Sequence, residues 1–189
     1  VEEIYRQTNG EAIISTEVGQ HQMWAAQYYK YTEPRTLLTS GGLGTMGYGL
    51  GASLGAKVGR PEKTVVNIAG DGCFRMNMNE IATAARHNIP VIQVVINNHV
   101  LGMVRQWQQL FHDRRYSFTP MDNPDFTMIA SAYGIPADRV SDPAELPGAM
   151  RKLADAPGPY FLEVVVRPEE NVFPMVPAGE SLSNVMCKE

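Results

Sequence analysis

Short apolar runs alternate along this chain with segments whose apolar positions recur every three to four residues. The strongest runs are Val65-Val66-Asn67-Ile68-Ala69 and Val91-Ile92-Gln93-Val94-Val95-Ile96. Their length and β-branched content suit strands covered on both faces. Residues 12–16, 35–39 and 160–166 read as further strands. Helical spacing marks residues 20–29, 76–87 and 143–154, and a small-residue stretch over 48–58 closed by Gly59-Arg60-Pro61. Asn123-Pro124-Asp125 starts another helix that ends at Gly134, and residues 1–8 read as a helix stopped by Asn9-Gly10. Residues 99–123 carry few strand signals, and residues 167–189, punctuated by prolines, read as an extended tail. Strands alternating with helices predict an α/β fold, a doubly wound, mainly parallel sheet with helices on both faces.

Composition narrows this picture without changing it. The chain has 189 residues, 44% of them hydrophobic, enough for one good core, so residues 1–166 are expected to form a single domain. A net charge of −4 without a basic stripe or an acidic block argues against nucleic acid. No apolar run approaches membrane-spanning length. Two cysteines, Cys73 and Cys187, are too few for a disulfide framework and suit a reducing compartment such as the cytoplasm. A chain that opens on Val1 in a helical pattern is expected to be a domain of a longer protein.

The chemistry concentrates where the two strongest strands end. Gly70-Asp71-Gly72 follows the first and Asn97-Asn98 follows the second. If those strands are parallel neighbours, Asp71 and Asn98 emerge side by side at the carboxyl edge of the sheet, where open α/β sheets bind ligands. A carboxylate and an amide oxygen converging there suit Mg²⁺, which commonly keeps phosphate oxygens in its shell. Glycines flanking Asp71 would let backbone N–H groups close on an anion. Each part also has a plainer reading: Asp71 as a helix N-cap, Asn97-Asn98 as a turn, Met46 and Trp107 as core residues. A rival pattern is Gly42-x-Gly44-x-x-Gly47, which fits a dinucleotide fingerprint and would make the chain a nicotinamide-binding dehydrogenase domain. That reading leaves Asn97-Asn98 without a task.

With its Gly-Asp-Gly and Asn-Asn signature, the sequence resembles the thiamine diphosphate enzymes. Gly19-Gln20-His21-Gln22-Met23-Trp24, Thr39-Ser40-Gly41-Gly42-Leu43-Gly44-Thr45-Met46-Gly47, Gly102-Met103-Val104-Arg105-Gln106-Trp107 and Phe173-Pro174-Met175-Val176-Pro177 narrow the resemblance. Together they are similar to the carboxyl-terminal domain of the acetolactate (acetohydroxyacid) synthase family, over essentially the whole chain. The resemblance implies Mg²⁺ held by Asp71, Asn98 and the Val100 carbonyl. It implies thiamine diphosphate held by Gly19, Gln20, His21, Gly70, Gly72, Cys73, Leu101, Gly102 and Met103, with Gly44 and Met46 at its aminopyrimidine. Met103, Val104 and Trp107 would line the pocket for the acceptor 2-oxo acid, and the tail 167–189 would cap the site. The implied reaction condenses pyruvate with a second 2-oxo acid, with loss of CO₂, in branched-chain amino-acid biosynthesis. The catalytic glutamate is expected in the amino-terminal domain of a second subunit, and FAD mostly in a middle domain. A homodimer or tetramer and a small regulatory subunit are implied partners, and this part alone is expected to be inactive. Another thiamine diphosphate-dependent decarboxylase, oxidase or carboligase stays open as an alternative, as does a non-catalytic domain of the same fold. His99 departs from an acid common at that position, and Gly51 from a proline.

Overall fold

The computed structural model describes residues 1–188; the last residue of the tail, Glu189, lies outside the described residues. Six strands are present: β1 (Ile13–Thr16), β2 (Leu37–Thr39), β3 (Val65–Gly70), β4 (Ile92–Asn97), β5 (Ala137–Val140) and β6 (Tyr160–Val165). They form one sheet in the order β2-β1-β3-β4-β6-β5, and every neighbouring pair is parallel. The helices are α1 (Glu2–Gln7), α2 (Gln20–Tyr28), α3 (Tyr48–Gly59), α4 (Asp71–Asn77), α5 (Ile81–Arg86), α6 (Gly102–Phe111), α7 (Phe126–Ala132) and α8 (Leu146–Ala154).

Alternate residues of each strand feed opposite faces, as pleating requires. Ile14, Val66, Ile68, Ile92, Val94 and Leu162 pack with Ile4, Ala25, Met150 and Leu153, so α1, α2 and α8 cover one face. Ile13, Val65, Ala69, Val91, Val95 and Phe161 pack with Leu50, Leu54, Phe74, Ile81 and Phe126, so α3, α4, α5 and α7 cover the other. This is why the central strands read as unbroken apolar runs.

The chain departs from the sequence-based expectations in three places. Helix α4 begins at Asp71, directly on the end of β3, rather than near residue 76. Burial of Cys73 and Phe74 outweighs the low helix propensity of Gly72. Residues 99–123 contain α6. An additional short strand, β5, forms the outer edge of the sheet. The sheet itself bears out the expected doubly wound parallel arrangement, every pair being parallel. β1 leads to one side of the sheet, to β2, while β3 lies on its other side and leads on to β4. The carboxyl ends of β1 and β3 therefore flank a topological switch point, the place where such sheets open a crevice.

Candidate functional site

Three helices start at that crevice. α2 follows β1 after residues 17–19, α4 follows β3 without a break, and α6 follows β4 after residues 98–101. The first turn of a helix leaves backbone N–H groups without intrahelical partners. Three such ends around one hollow make a wall suited to an anion. The hollow is a cavity of about 200 Å³. Its wall takes Gly19, Gln20 and His21 from the start of α2, Gly70, Asp71, Gly72 and Cys73 from the β3–α4 junction, and Gly44 and Met46 from the glycine loop. Asn98, Val100, Leu101, Gly102, Met103 and Val104 complete it from the β4–α6 junction. Of the sequence-predicted site residues only Trp107 is left out. It sits one helical turn beyond Met103 and is 48% exposed, which also rules it out as a core aromatic.

Pairing of β3 with β4 sets Gly70 opposite Ile96, so Asp71 and Asn98 leave adjacent strand tips. Gly70, not Asp71, holds the N-cap position of α4, and no side chain caps that helix. Asn97 and Asn98 do make turns: the Asn97 Oδ1 accepts from His99 N at 3.1 Å and the Asn98 Oδ1 from Val100 N at 3.2 Å. His99 takes a left-handed conformation, with φ of 58°. The turn reading and a ligand role are compatible, since an amide oxygen that accepts one hydrogen bond keeps a second lone pair. Asn98 also donates to the Gln20 Oε1 at 3.3 Å. Gly102 has no room for a side chain, because an added Cβ would run into the Gln20 amide.

Burial shifts the ionisable groups of this wall. Asp71 is 1% exposed, and desolvation raises its pKa, partly offset by a hydrogen bond from Asn123. Cys73 is pushed up to about 12 by burial, so it remains a thiol, donating to the Val18 carbonyl at 2.9 Å. His21 is pulled down to about 3 by burial and is a neutral imidazole at physiological pH. Its Nε2 is buried without a hydrogen-bond partner. An orphaned polar atom in a cavity wall is costly unless a ligand or water satisfies it.

The depressed His21 pKa has a measurable consequence. The unfolded imidazole takes up a proton near pH 6.5, whereas the folded one resists until about pH 3. Between those values the unfolded chain binds more protons, so stability falls as the pH drops. From pH 7 to pH 5 the loss attributable to His21 is expected to be about 2 kcal/mol. Urea unfolding of the wild type against His21→Gln checks it, the variant lacking that part of the slope.

Two residues outside the sequence-predicted set support the site. Glu17, 1% exposed, accepts from Gly47 N at 2.6 Å and from Leu50 N at 3.2 Å. It thereby serves the start of α3 and anchors the glycine loop that carries Gly44 and Met46. Its pKa is raised by burial despite those bonds. Asn123 donates to the Asp71 Oδ2 at 2.7 Å. The one available signal for Glu17 was a charge directly before Val18-Gly19; Asn123 gave none beyond its place ahead of a helix.

The donor set itself discriminates among cations. Among the described residues no three of His, Cys, Asp and Glu cluster as metal ligands. The Asp71 carboxylate and the Asn98 amide on this wall offer all-oxygen, low-charge donors, which would fit a hard cation that retains phosphate ligands. A dinucleotide site fits poorly, since the glycine loop follows β2, an edge strand, instead of a central strand at the switch point.

Fold and cavity together define a thiamine-dependent enzyme domain: the family described as thiamine pyrophosphate enzyme, C-terminal TPP binding domain, matches residues 17–164, and the chain belongs to it. Thiamine pyrophosphate is another name for thiamine diphosphate. The similar proteins narrow the comparison to acetolactate synthases. Acetolactate synthase 2, chloroplastic, of Nicotiana tabacum is 50% identical over 189 residues, covering 96% of this chain and 28% of that protein. The isozyme 2 large subunit of Escherichia coli (strain K12) is 49% identical over 179 residues, covering 94% of the chain and 33% of that protein. The mitochondrial catalytic subunit of Aspergillus candidus is 52% identical over 166 residues, covering 88% and 24%. The chain thus spans about a third or less of the length of these relatives. Among the described residues no helix is long and apolar enough to cross a membrane.

Proposed function

We propose that this chain is the cofactor-binding part of an acetolactate synthase. Such an enzyme condenses pyruvate with a second 2-oxo acid, pyruvate or 2-oxobutyrate, with loss of CO₂, in branched-chain amino-acid biosynthesis. The observation that carries the reading is the meeting of Asp71 and Asn98 at adjacent strand tips, inside a cavity ringed by three helix starts. Identity near 50% to acetolactate synthases over nearly the whole chain supports the particular activity.

In this reading Asp71, the Asn98 side chain and the Val100 carbonyl hold Mg²⁺. Gly19, Gln20 and His21, with Gly72 and Cys73, present backbone N–H groups to a diphosphate. Gly44 and Met46 would hold the aminopyrimidine, and Leu101, Gly102 and Met103 would complete the cofactor's wall. When bound, thiamine diphosphate supplies the electron sink that decarboxylation of a 2-oxo acid requires. The chain's own share is orientation and exclusion of water. Neutral His21 and the protonated Cys73 add no charge to compete with the diphosphate. Met103, Val104 and Trp107 face the acceptor substrate. Trp107 meets it only if another part of the protein completes the pocket, since here its ring is half exposed.

The same reading leaves catalysis to a glutamate on the amino-terminal domain of a second subunit, in a homodimer or tetramer, and FAD to a middle domain. A small regulatory subunit and a cytoplasmic location belong to it as well. Val104, Trp107 and Phe111 follow helical spacing along α6 and are each 46–48% exposed, an apolar stripe suited to a subunit contact. The tail supports a capping role: Gln106, fully buried, accepts from Val172 N at 2.9 Å and donates to the Val172 carbonyl at 3.1 Å.

Calorimetry separates this reading from its rivals. Thiamine diphosphate is expected to bind only with Mg²⁺ present, and NADH to give no heat. Binding of NADH without a thiamine diphosphate response would restore the dehydrogenase reading. Acetolactate formation from pyruvate by the intact protein, diverted to acetohydroxybutyrate when 2-oxobutyrate is added as acceptor, separates the synthase from other thiamine diphosphate enzymes.

A further inference from the structure

We propose that Asn123 is a positioning residue for the Asp71 carboxylate, anchored by a line of side chains that reaches the far edge of the sheet at Arg139. The inference rests on the reading of Asp71 as a metal ligand. The Asn123 Nδ2 donates to the Asp71 Oδ2 at 2.7 Å and to the Asn97 Oδ1 at 3.1 Å. Both partners are acceptors, which fixes the orientation of the amide. Its Oδ1 accepts from Arg75 on α4 at 3.5 Å, and the same guanidinium nitrogen donates to the Asp122 carbonyl at 3.0 Å. The amide is thus held from both ends, by the helix that carries Asp71 and by the tip of β4.

Asn97 is not free to follow Asn123. It is 2% exposed, and its Nδ2 donates to the Glu163 Oε1 at 2.7 Å. Glu163, also 2% exposed, takes the Arg139 Nε on its other oxygen at 2.6 Å. Arg139 in turn donates to Asp125 at 2.8 Å, the residue that caps α7 two positions after Asn123. The line closes on itself, from Asn123 through Asn97, Glu163 and Arg139 to Asp125 and back along the chain. Pro124 fixes the backbone between them, and it biases Asn123 towards extended geometry.

The physical need for such a support is general. A carboxylate that binds a cation through one oxygen is steadier when its other oxygen accepts a hydrogen bond, and loss of such a partner typically weakens metal binding 10–100-fold. A neutral amide does this without adding a charge that would attract or repel the cation. The first asparagine of the Asn97-Asn98 pair thereby gains a role distinct from the second: Asn98 faces the cavity, while Asn97 braces the support of Asp71.

The test is Mn²⁺ binding followed by electron paramagnetic resonance, in the intact protein with saturating thiamine diphosphate. Asn123→Ala is expected to raise the Mn²⁺ dissociation constant by ~10–100-fold and to broaden the bound-metal spectrum, while the metal-free melting temperature stays near wild type. The neutral, similarly shaped Asn123→Leu, which cannot donate, is expected to move both readouts the same way and keeps the test valid if the alanine variant folds poorly. Asp71→Asn is the reference. If Asp71→Asn loses Mn²⁺ but both Asn123 variants keep wild-type affinity and line shape, the positioning role is overturned and the metal site stands. If Asp71→Asn itself binds Mn²⁺ normally, the metal site falls and the positioning role with it.

Discussion

Asp71→Asn is expected to weaken Mg²⁺-dependent thiamine diphosphate binding by more than ~100-fold, beyond what loss of an outer-shell partner causes. The substitution keeps the shape of the side chain and an oxygen able to accept from Asn123, and it removes the negative charge. That charge is expensive in the metal-free protein: Asp71 is 1% exposed, and desolvation raises its pKa. For an acid the sign follows directly. A folded-state pKa above the unfolded value favours the folded state at low pH, and that contribution is lost as the pH rises through the folded value. Above the folded-state value the ionised carboxylate therefore opposes folding, and the amide should leave the metal-free melting temperature unchanged or raise it. Calorimetric titration and thermal unfolding on the same sample check both halves. Retained Mg²⁺-dependent binding would contradict the assignment, whereas a large drop in metal-free stability would mean that Asp71 supports the fold instead.

The strand-tip pair was legible because two long apolar runs ended in residues with no apolar purpose. Parallel pairing of those runs then followed from the alternation of strands and helices. The supports of the pair were not legible. Asn123 reaches Asp71 across a loop, and Glu17 reaches Gly47 and Leu50 across the sheet's edge. Neither contact leaves a periodic trace in the sequence, since both depend on where separate elements come to rest. β5 was missed for a related reason. It is a short edge strand with Asp138 and Arg139 at its centre, charges that protect an edge and hide it from a search for apolar runs. α6 carried a helical spacing in Met103, Val104, Trp107 and Phe111, but its deepest residue is polar. Gln106 is fully buried through bonds to Gln20 and the tail, a burial driven by hydrogen bonding that hydropathy does not register.

Phe74→Ala is expected to lower unfolding free energy by ~3–5 kcal/mol, out of the ~5–15 kcal/mol typical of a domain. Phe74 is 2% exposed, and its ring meets Phe126 edge-on at 5.4 Å and Phe161 at 5.3 Å. Those three rings belong to α4, α7 and β6, so truncation opens a cavity where three elements converge. The same cluster stands under the site: α4 carries Asp71 and Gly72 in its first turn, and α7 begins just after Asn123. A ligand that binds the folded state alone adds ~2.7 kcal/mol at a hundred times its dissociation constant. In the wild type, thiamine diphosphate with Mg²⁺ at that level should raise stability by this amount. At the same ligand concentration Phe74→Ala should gain less, because a loosened α4 weakens the metal site. Phe74→Leu, which refills most of the cavity, should restore most of both quantities. Urea unfolding with and without cofactor measures all of this. A full ligand increment in Phe74→Ala, despite the lost stability, would show that the strand tips hold their geometry without the helix packed beneath them.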